Sequence, residues 1–374
     1  MALVEETLFG TVDKVQKAID RLKAFEPQEG YYLAFSGGKD SQCIYHLAKM
    51  AGVKFDAHYS VTTVDPPELT RFIKYQYPDV IWDKHFDKEG KPMSMYRLIS
   101  ERTIPPTRTN RYCCAELKEN SGKGRVCVTG VRWAESVRRK NLHGVVNVQT
   151  SSKKFINDKL ENVPGAKLNS KGGVVFLDDN DETRQVVDQC YQKKRTKVNP
   201  IIDWEESDVW DFLNYVVEVP HCILYDSPYN FKRIGCVGCP LQGREGMLRD
   251  FEIWPQYKNL YIKAFEQMIK NHPGEIRVAS GELAETNGGG VQPCMLDGSN
   301  GALDGTQFVN VERERERERE RENTGSSFQM VPSLGQLLKP MVGERLFYWW
   351  MWMHREAKAM YEHSPNVYIT KIRK

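Results

Sequence analysis

The chain has 374 residues, 40% of them hydrophobic and 28% charged, with a net charge of +3. That length supplies enough core for two or three domains, and so small a charge excess does not by itself argue for nucleic acid. The longest apolar stretch, Leu346 to His354, lies between Arg345 and Arg355 and is much too short to cross a bilayer. The first residues also lack the basic start and apolar centre of a signal peptide, so a cytoplasmic protein without a membrane partner is expected.

In chain order, Val12, Val15 and Ile19 mark an amphipathic helix over 11–24, and the run Tyr31 to Phe35 reads as a strand. Ile44, Leu47, Ala48 and Met50 recur at helical spacing, predicting a helix over 41–51. Strands over 54–61, 79–82 and 125–130 then alternate with helices over 67–76, 93–101 and 205–215. This alternation predicts an α/β fold, a mostly parallel twisted sheet with helices on both faces. Residues 144–198 read as an irregular or hairpin insertion within a domain spanning 1–245, with a cysteine-bearing loop at 232–243. A helical extension (246–280, with its helix near 255–271) follows, and 336–374 reads as a helical tail. Between them, 281–335 carries glycine-rich turns and the repeat "ERERERERERE" at 312–322, which sets unlike charges three apart but like charges four apart. A solvated low-complexity insertion is the expectation there.

Residues 34–41, "AFSGGKDS", lie between strand and helix. Gly37 and Gly38 allow a tight turn whose N–H groups approach an anion. Ser36, Lys39 and Ser41 add donors and charge, and the helix start adds its partial positive end. Asp40 is unusual in an anion site and suggests Mg²⁺ held between carboxylate and phosphate. Positive residues also crowd one region, including Arg111, Lys118, Arg132, Arg138 and Arg139, with "KKRTK" at 193–197 as a second cluster. A nucleotide is the first expected partner, and DNA or tRNA the second.

Nine cysteines in a chain read as cytoplasmic do not suggest disulfides. "RYCCAELK" sets Cys113 beside Cys114, and "GCVGCP" sets Cys236 and Cys239 in a C-x-x-C turn. Four thiolates can close on an iron–sulfur cluster or zinc. Cys43, Cys127, Cys190 and Cys222 read as small buried hydrophobes.

The loop "SGGKDS" is not a Walker loop, which needs four residues between its first glycine and the Gly-Lys pair. It resembles the PP-loop of the N-type ATP pyrophosphatases, and over residues 28–245 the chain resembles the phosphoadenosine phosphosulfate (PAPS) reductase family of that superfamily. The resemblance implies an adenine nucleotide α-hydrolase-like fold that binds ATP and cleaves it between the α and β phosphates. It also implies that Asp65, in "TVDPPE", contacts nucleotide or metal. "TGVRWAESVRR" resembles the family's Gly-x-Arg-x-x-Glu-Ser-x-x-Arg segment and gives Arg132 and Arg139 as phosphate or sulfate ligands; planar guanidinium suits that work. "NPIIDWEESDVWDFL" also resembles the family, but its apolar residues assign it to structure. The adjacent pair plus C-x-x-C resembles the [4Fe–4S] site of assimilatory adenosine phosphosulfate reductases, which puts the cluster first and zinc second.

The chain departs from the reductases in lacking their Glu-Cys-Gly motif; Cys294, within "VQPCMLDG", is its only cysteine after the C-x-x-C. The expected catalytic set is therefore Lys39, Asp40 and Arg132, acting in adenylation that prepares an acceptor for sulfur from a donor such as a cysteine desulfurase. Sulfonucleotide reduction is the second reading and a non-catalytic binding module the third.

Overall fold

The structure is a computed structural model that describes residues 3–7, 10–119, 121–169, 172–177, 195–272 and 342–352. Cys190, Cys294, the Glu-Arg repeat and most of the expected tail lie outside these residues. Two compact units are present: Met1–Leu98 with Pro106–Lys258, and Ile99–Pro105 with Asn259–Lys374.

In the first unit, β1 (Val4–Thr7) and β2 (Gly10–Asp13) form an antiparallel hairpin. The helix expected over 11–24 begins only at Lys14, because Asp13 caps α1 (Lys14–Ala24) by accepting from the Val15 and Gln16 amides. Val12 therefore belongs to the hairpin. Next come β3 (Tyr31–Ala34), α2 (Lys39–Ala51), β4 (Phe55–Ser60), α3 (Pro67–Gln76), β5 (Ile81–Asp83), α4 (Met95–Ser100), α5 (Tyr112–Leu117) and β6 (Cys127–Val128). The order of the eight-stranded sheet begins β5-β4-β3-β6, all parallel. Helical crossovers separate the parallel strands, as that geometry requires.

The segment read as an insertion instead extends this sheet. After α6 (Val137–Leu142) come β7 (Val146–Gln149), α7 (Lys153–Asn162), β8 (Ala166–Leu168), β9 (Val174–Phe176) and β10 (Arg195–Val198). β10 lies parallel to β6, and β7, β9 and β8 follow it antiparallel. Val146, Val148, Val174, Val175 and Phe176 are all buried. Their β-branched and aromatic side chains fit a pleated, covered surface, a signal that the glycines and turn residues around them obscured.

Just after β10, Asn199 is fully buried and donates to the Gly144 carbonyl and Asn147, while Thr129 donates to it. Asp203 receives a two-pronged contact from Arg21 at 2.8 and 3.0 Å and a third from Lys17. Although burial opposes its charge, these partners hold the Asp203 carboxyl down at about 2. Trp204 and Phe212 are buried edge to face. The helix expected over 205–215 runs as α8 (Glu206–Asp211) and continues as one wider π turn over Phe212–Val216. α9 (Gly243–Ile253) follows.

α10 (Pro255–Asn271) enters the second unit, where α11 (Val342–Trp352) carries the apolar stretch noted in the sequence. Trp350 and Phe347 are buried there, with Trp350 against Tyr261 and Phe265. Among the described residues no helix is long and apolar enough to cross a membrane.

Candidate functional site

The loop between β3 and α2 is shaped by one obligatory glycine. Gly37 has φ +72°, and a Cβ there would lie 2.7–2.8 Å from Ile73 and Leu69 of α3. Both the conformation and the space exclude a side chain. The chain then enters α2 with Gly38 at the N-cap and Lys39 as the first helical residue. Ser41 Oγ donates to the Gly38 carbonyl at 2.7 Å, and Ser36 Oγ donates to Ser41 at 3.2 Å, so the two serines brace the turn.

Lys39 and Arg132 are both buried. Lys39 Nζ donates to the Lys232 carbonyl at 2.6 Å, pairs with Glu206 Oε1 at 3.1 Å and lies 5.1 Å from the Tyr225 ring centroid. Arg132 Nε contacts Asp40 at 2.6 Å and its terminal nitrogen contacts Glu206 Oε2 at 2.7 Å. Burial works against the guanidinium charge, yet Asp40 and Glu206 raise its pKa above the ordinary arginine value. Glu206 shows the reciprocal effect: Arg132 and Lys39 outweigh burial and lower its pKa. Close packing fixes the Arg132 side of the site, since a Cβ at Gly130 would stand 2.8 Å from the Asp40 carbonyl oxygen.

Arg139 reaches Glu135 at 3.2 Å, and Arg233 shares the same carboxylate oxygen at 3.1 Å. Burial, with Arg233 and Arg111 as like charges, lowers the Arg139 pKa despite Glu135 and Asp40. Arg233 and Arg111 both act on Arg139 as like charges, so an anion beside Arg139 would be favoured.

Asp65 stands apart from this arrangement. Its Oδ2 accepts from Tyr59 at 2.5 Å and Thr62 at 2.7 Å, and its Oδ1 accepts from the Cys236 thiol at 3.5 Å. The structure thus brings Asp65 to the cysteine loop, where it links the end of β4 to Cys236.

That cysteine loop turns at Gly238, whose φ is +70° and where a Cβ would meet the Phe251 ring at 2.4 Å. The Cys239 amide closes the turn onto the Cys236 carbonyl at 3.2 Å. Cys113 and Cys114 open α5, and Cys113 is within electrostatic reach of the other three cysteines. A hydrogen bond from the Cys113 thiol, followed by Arg111 and Lys118, holds the Cys114 thiol below its ordinary range despite burial, and the same bond raises Cys113. Burial pushes Cys236 up to about 12 and also raises Cys239. Lys118 is exposed as a residue, but its ammonium is desolvated; Cys236, Asp65 and Cys114 nevertheless raise its pKa. Four soft donors in one neighbourhood suit an iron–sulfur cluster or zinc in chemistry. Among the described residues, however, no three His, Cys, Asp or Glu side chains converge on a point that would hold an ion.

Of the remaining cysteines, Cys43 and Cys222 are buried as expected, whereas Cys127 is only half-buried. Sequence reasoning missed Glu206, Tyr225 and Arg233. Glu206 was hidden within a segment whose apolar residues signal core, and Arg233 lies in the cysteine-bearing loop, where Cys236 and Cys239 dominate the signal.

The family model described as the phosphoadenosine phosphosulfate reductase domain matches residues 30–242. Among curated proteins, an uncharacterized protein of Methanocaldococcus jannaschii is 32% identical over 75 residues, which cover 20% of this chain and 18% of that protein. Among solved structures, the FMN adenylyltransferase of Candida glabrata matches at 15% identity and TM-score 0.33, covering 60% of this chain and 62% of its own. The PAPS reductase of Candida auris, in its phosphate complex, matches at 14% identity and TM-score 0.35, covering 59% and 87%. The chain therefore spans under a fifth of the archaeal relative and about three fifths of the adenylyltransferase.

Proposed function

The chain belongs to the phosphoadenosine phosphosulfate reductase domain family, a family of nucleotide-processing enzymes, and from that premise we propose that it is an ATP pyrophosphatase of sulfur chemistry. In this reading an acceptor oxygen attacks the α-phosphorus of ATP, the bond to the bridging oxygen breaks, and pyrophosphate leaves with that electron pair. A sulfur nucleophile from a donor then displaces AMP from the activated acceptor. The observation that carries the proposal is the intact "SGGKDS" turn, with the buried cations Lys39 and Arg132 at its edge.

The loop amides, Lys39 and Arg132 would neutralise charge that grows on the phosphates, so the protein's contribution is positioning and electrostatic stabilisation. Asp40 would supply a carboxylate for Mg²⁺, which when bound would add positive charge to offset that of the phosphates and the leaving group. Arg139, with Arg233, provides the neighbouring anion-favouring region. A [4Fe–4S] cluster held by Cys113, Cys114, Cys236 and Cys239 would hold or position sulfur, with zinc as the second choice. Asp65 braces the Cys236 side of that set.

The deciding experiment measures pyrophosphate release from Mg²⁺-ATP with DNA, tRNA and other candidate acceptors, using anaerobically purified protein. Release that depends on an acceptor and is lost in Lys39→Ala supports the reading. ATP binding without release for any acceptor would favour a binding module.

Family membership and the Arg111, Arg139 and Arg233 group favour sulfonucleotide reduction as the second reading. Preferential binding of PAPS or adenosine phosphosulfate over ATP, with thiol-dependent sulfite release, would establish it.

A further inference from the structure

Four charged side chains meet at the loop. Lys39 and Arg132 are positive and Asp40 and Glu206 negative, two of each, so the group has no net formal charge. A phosphate cradle is expected to be positive; here its two buried cations are already neutralised from within.

Glu206 spans both cations, with Oε1 at 3.1 Å from Lys39 and Oε2 at 2.7 Å from Arg132. Its side chain is 56% exposed, whereas those of Lys39 and Arg132 are each 3% exposed. An anion arriving from solvent thus meets the carboxylate before either cation. The Tyr225 hydroxyl adds to this occupancy: it accepts from the Lys39 amide at 3.0 Å and stands 3.2 Å from where a Gly38 Cβ would be. An anion oxygen bound by the loop amides would take that acceptor's place.

We propose that Glu206 is a specificity-determining residue whose carboxylate stands in for a phosphate between Lys39 and Arg132. A bare polyanion must displace Glu206 while facing its charge, a repulsion that disfavours the wrong ligand. A polyphosphate carrying a divalent cation brings the charge that the displaced carboxylate then faces, so the loop selects metal-complexed polyphosphate over free anion. Because Glu206 is exposed, its release from the cations requires a change of side-chain rotamer rather than movement of the fold. Tyr225 plays the lesser part, because its hydroxyl is neutral.

The inference rests on reading the loop as a phosphate cradle, and its test separates the two. Inorganic pyrophosphate is titrated calorimetrically into wild-type protein, Glu206→Gln and Tyr225→Phe, with and without Mg²⁺; circular dichroism confirms that each variant is folded. Wild type should bind chiefly in the presence of Mg²⁺. Glu206→Gln should bind Mg²⁺-free pyrophosphate about 3–10-fold more tightly than wild type, the scale of one exposed ion pair removed. Its dependence on Mg²⁺ should shrink accordingly, and Tyr225→Phe should give a smaller gain in the same direction. If wild type binds and Glu206→Gln binds equally or more weakly without Mg²⁺, the specificity role is wrong and the cradle stands. If folded wild type and variants all fail to bind with or without Mg²⁺, the cradle itself falls and the inference falls with it.

Discussion

Arg132 Nε and Asp40 Oδ1 meet at 2.6 Å, joining the segment after β6 to the first turn of α2. The arginine is buried and its other contacts, to Glu206 and the Trp204 carbonyl, tie the same point to the start of α8. Arg132→Lys keeps the charge but not the fork, so stability should fall by about 1–2 kcal/mol and pyrophosphate affinity should fall with it. Arg132→Met, which strands the half-buried Asp40, should cost about 3 kcal/mol. Adding Asp40→Asn should recover at least ~1 kcal/mol of that loss in urea denaturation. Full additivity of the two substitutions would show that the pair is not energetically coupled.

The two loop glycines should respond differently to alanine. Gly37→Ala must hold φ near +72° and press on Ile73 and Leu69, so it should lose about 2–3 kcal/mol of stability together with nucleotide binding. At Gly38, φ is −79° and the nearest obstacle is the Tyr225 hydroxyl at 3.2 Å, so Gly38→Ala should lose less than about 1 kcal/mol. Equal losses in denaturant melts would mean that the Gly37 conformation is not what the loop requires.

Local chemistry made the loop and the parallel half of the sheet legible. Tyr31 to Phe35, the Gly-Gly turn and the spacing of Ile44 and Leu47 all act within about fifteen residues, so pattern and structure agree. The antiparallel half was not legible: β10 pairs with β7 across about fifty positions, and no local signal encodes such a register. Glu206 is a similar case. Its neighbours Trp204 and Val209 are buried core and their apolar signal dominated the segment, while the partners that give Glu206 its role, Lys39 and Arg132, are distant in sequence. Asp65 shows the converse: its motif suggested a contact with nucleotide or metal, and the structure turns its carboxylate to Tyr59, Thr62 and Cys236, partners that the motif does not signal.

The cysteines can be sorted by metal content. Protein purified anaerobically should carry iron and acid-labile sulfide near a 4:4 ratio if the cluster reading holds. Cys113→Ser, Cys114→Ser, Cys236→Ser and Cys239→Ser should each lose most of it. Cys43→Ser and Cys222→Ser, whose native thiols are buried away from that set, should retain it. Stoichiometric zinc without sulfide would replace the cluster with the second choice, and no metal at all would leave the four thiols a structural or redox group.

Acid sensitivity should trace in part to His46. Burial, reinforced by Lys49, lowers its imidazole to about 4 from an ordinary value near 6.5, and its Nε2 lies 3.1 Å from the Tyr77 hydroxyl. At pH 7 the folded ring is neutral and the unfolded one mostly so, and it adds little pH slope. As pH falls below 6.5 the unfolded chain takes up the proton first, which favours unfolding; the loss accumulates down to about pH 4, where the folded ring is also protonated. Allowing for partial solvent screening, the whole effect is about 1–2 kcal/mol. Asp203, held at about 2, does not release its stabilisation until the pH drops below its ordinary carboxyl range, so the two limbs separate. His46→Gln should therefore narrow the stability difference between pH 7 and 4.5 by about 1 kcal/mol and leave the steeper loss below pH 4 in place. Urea denaturation at those pH values provides the check, and an unchanged difference would show that the folded protein admits the proton at His46 without penalty.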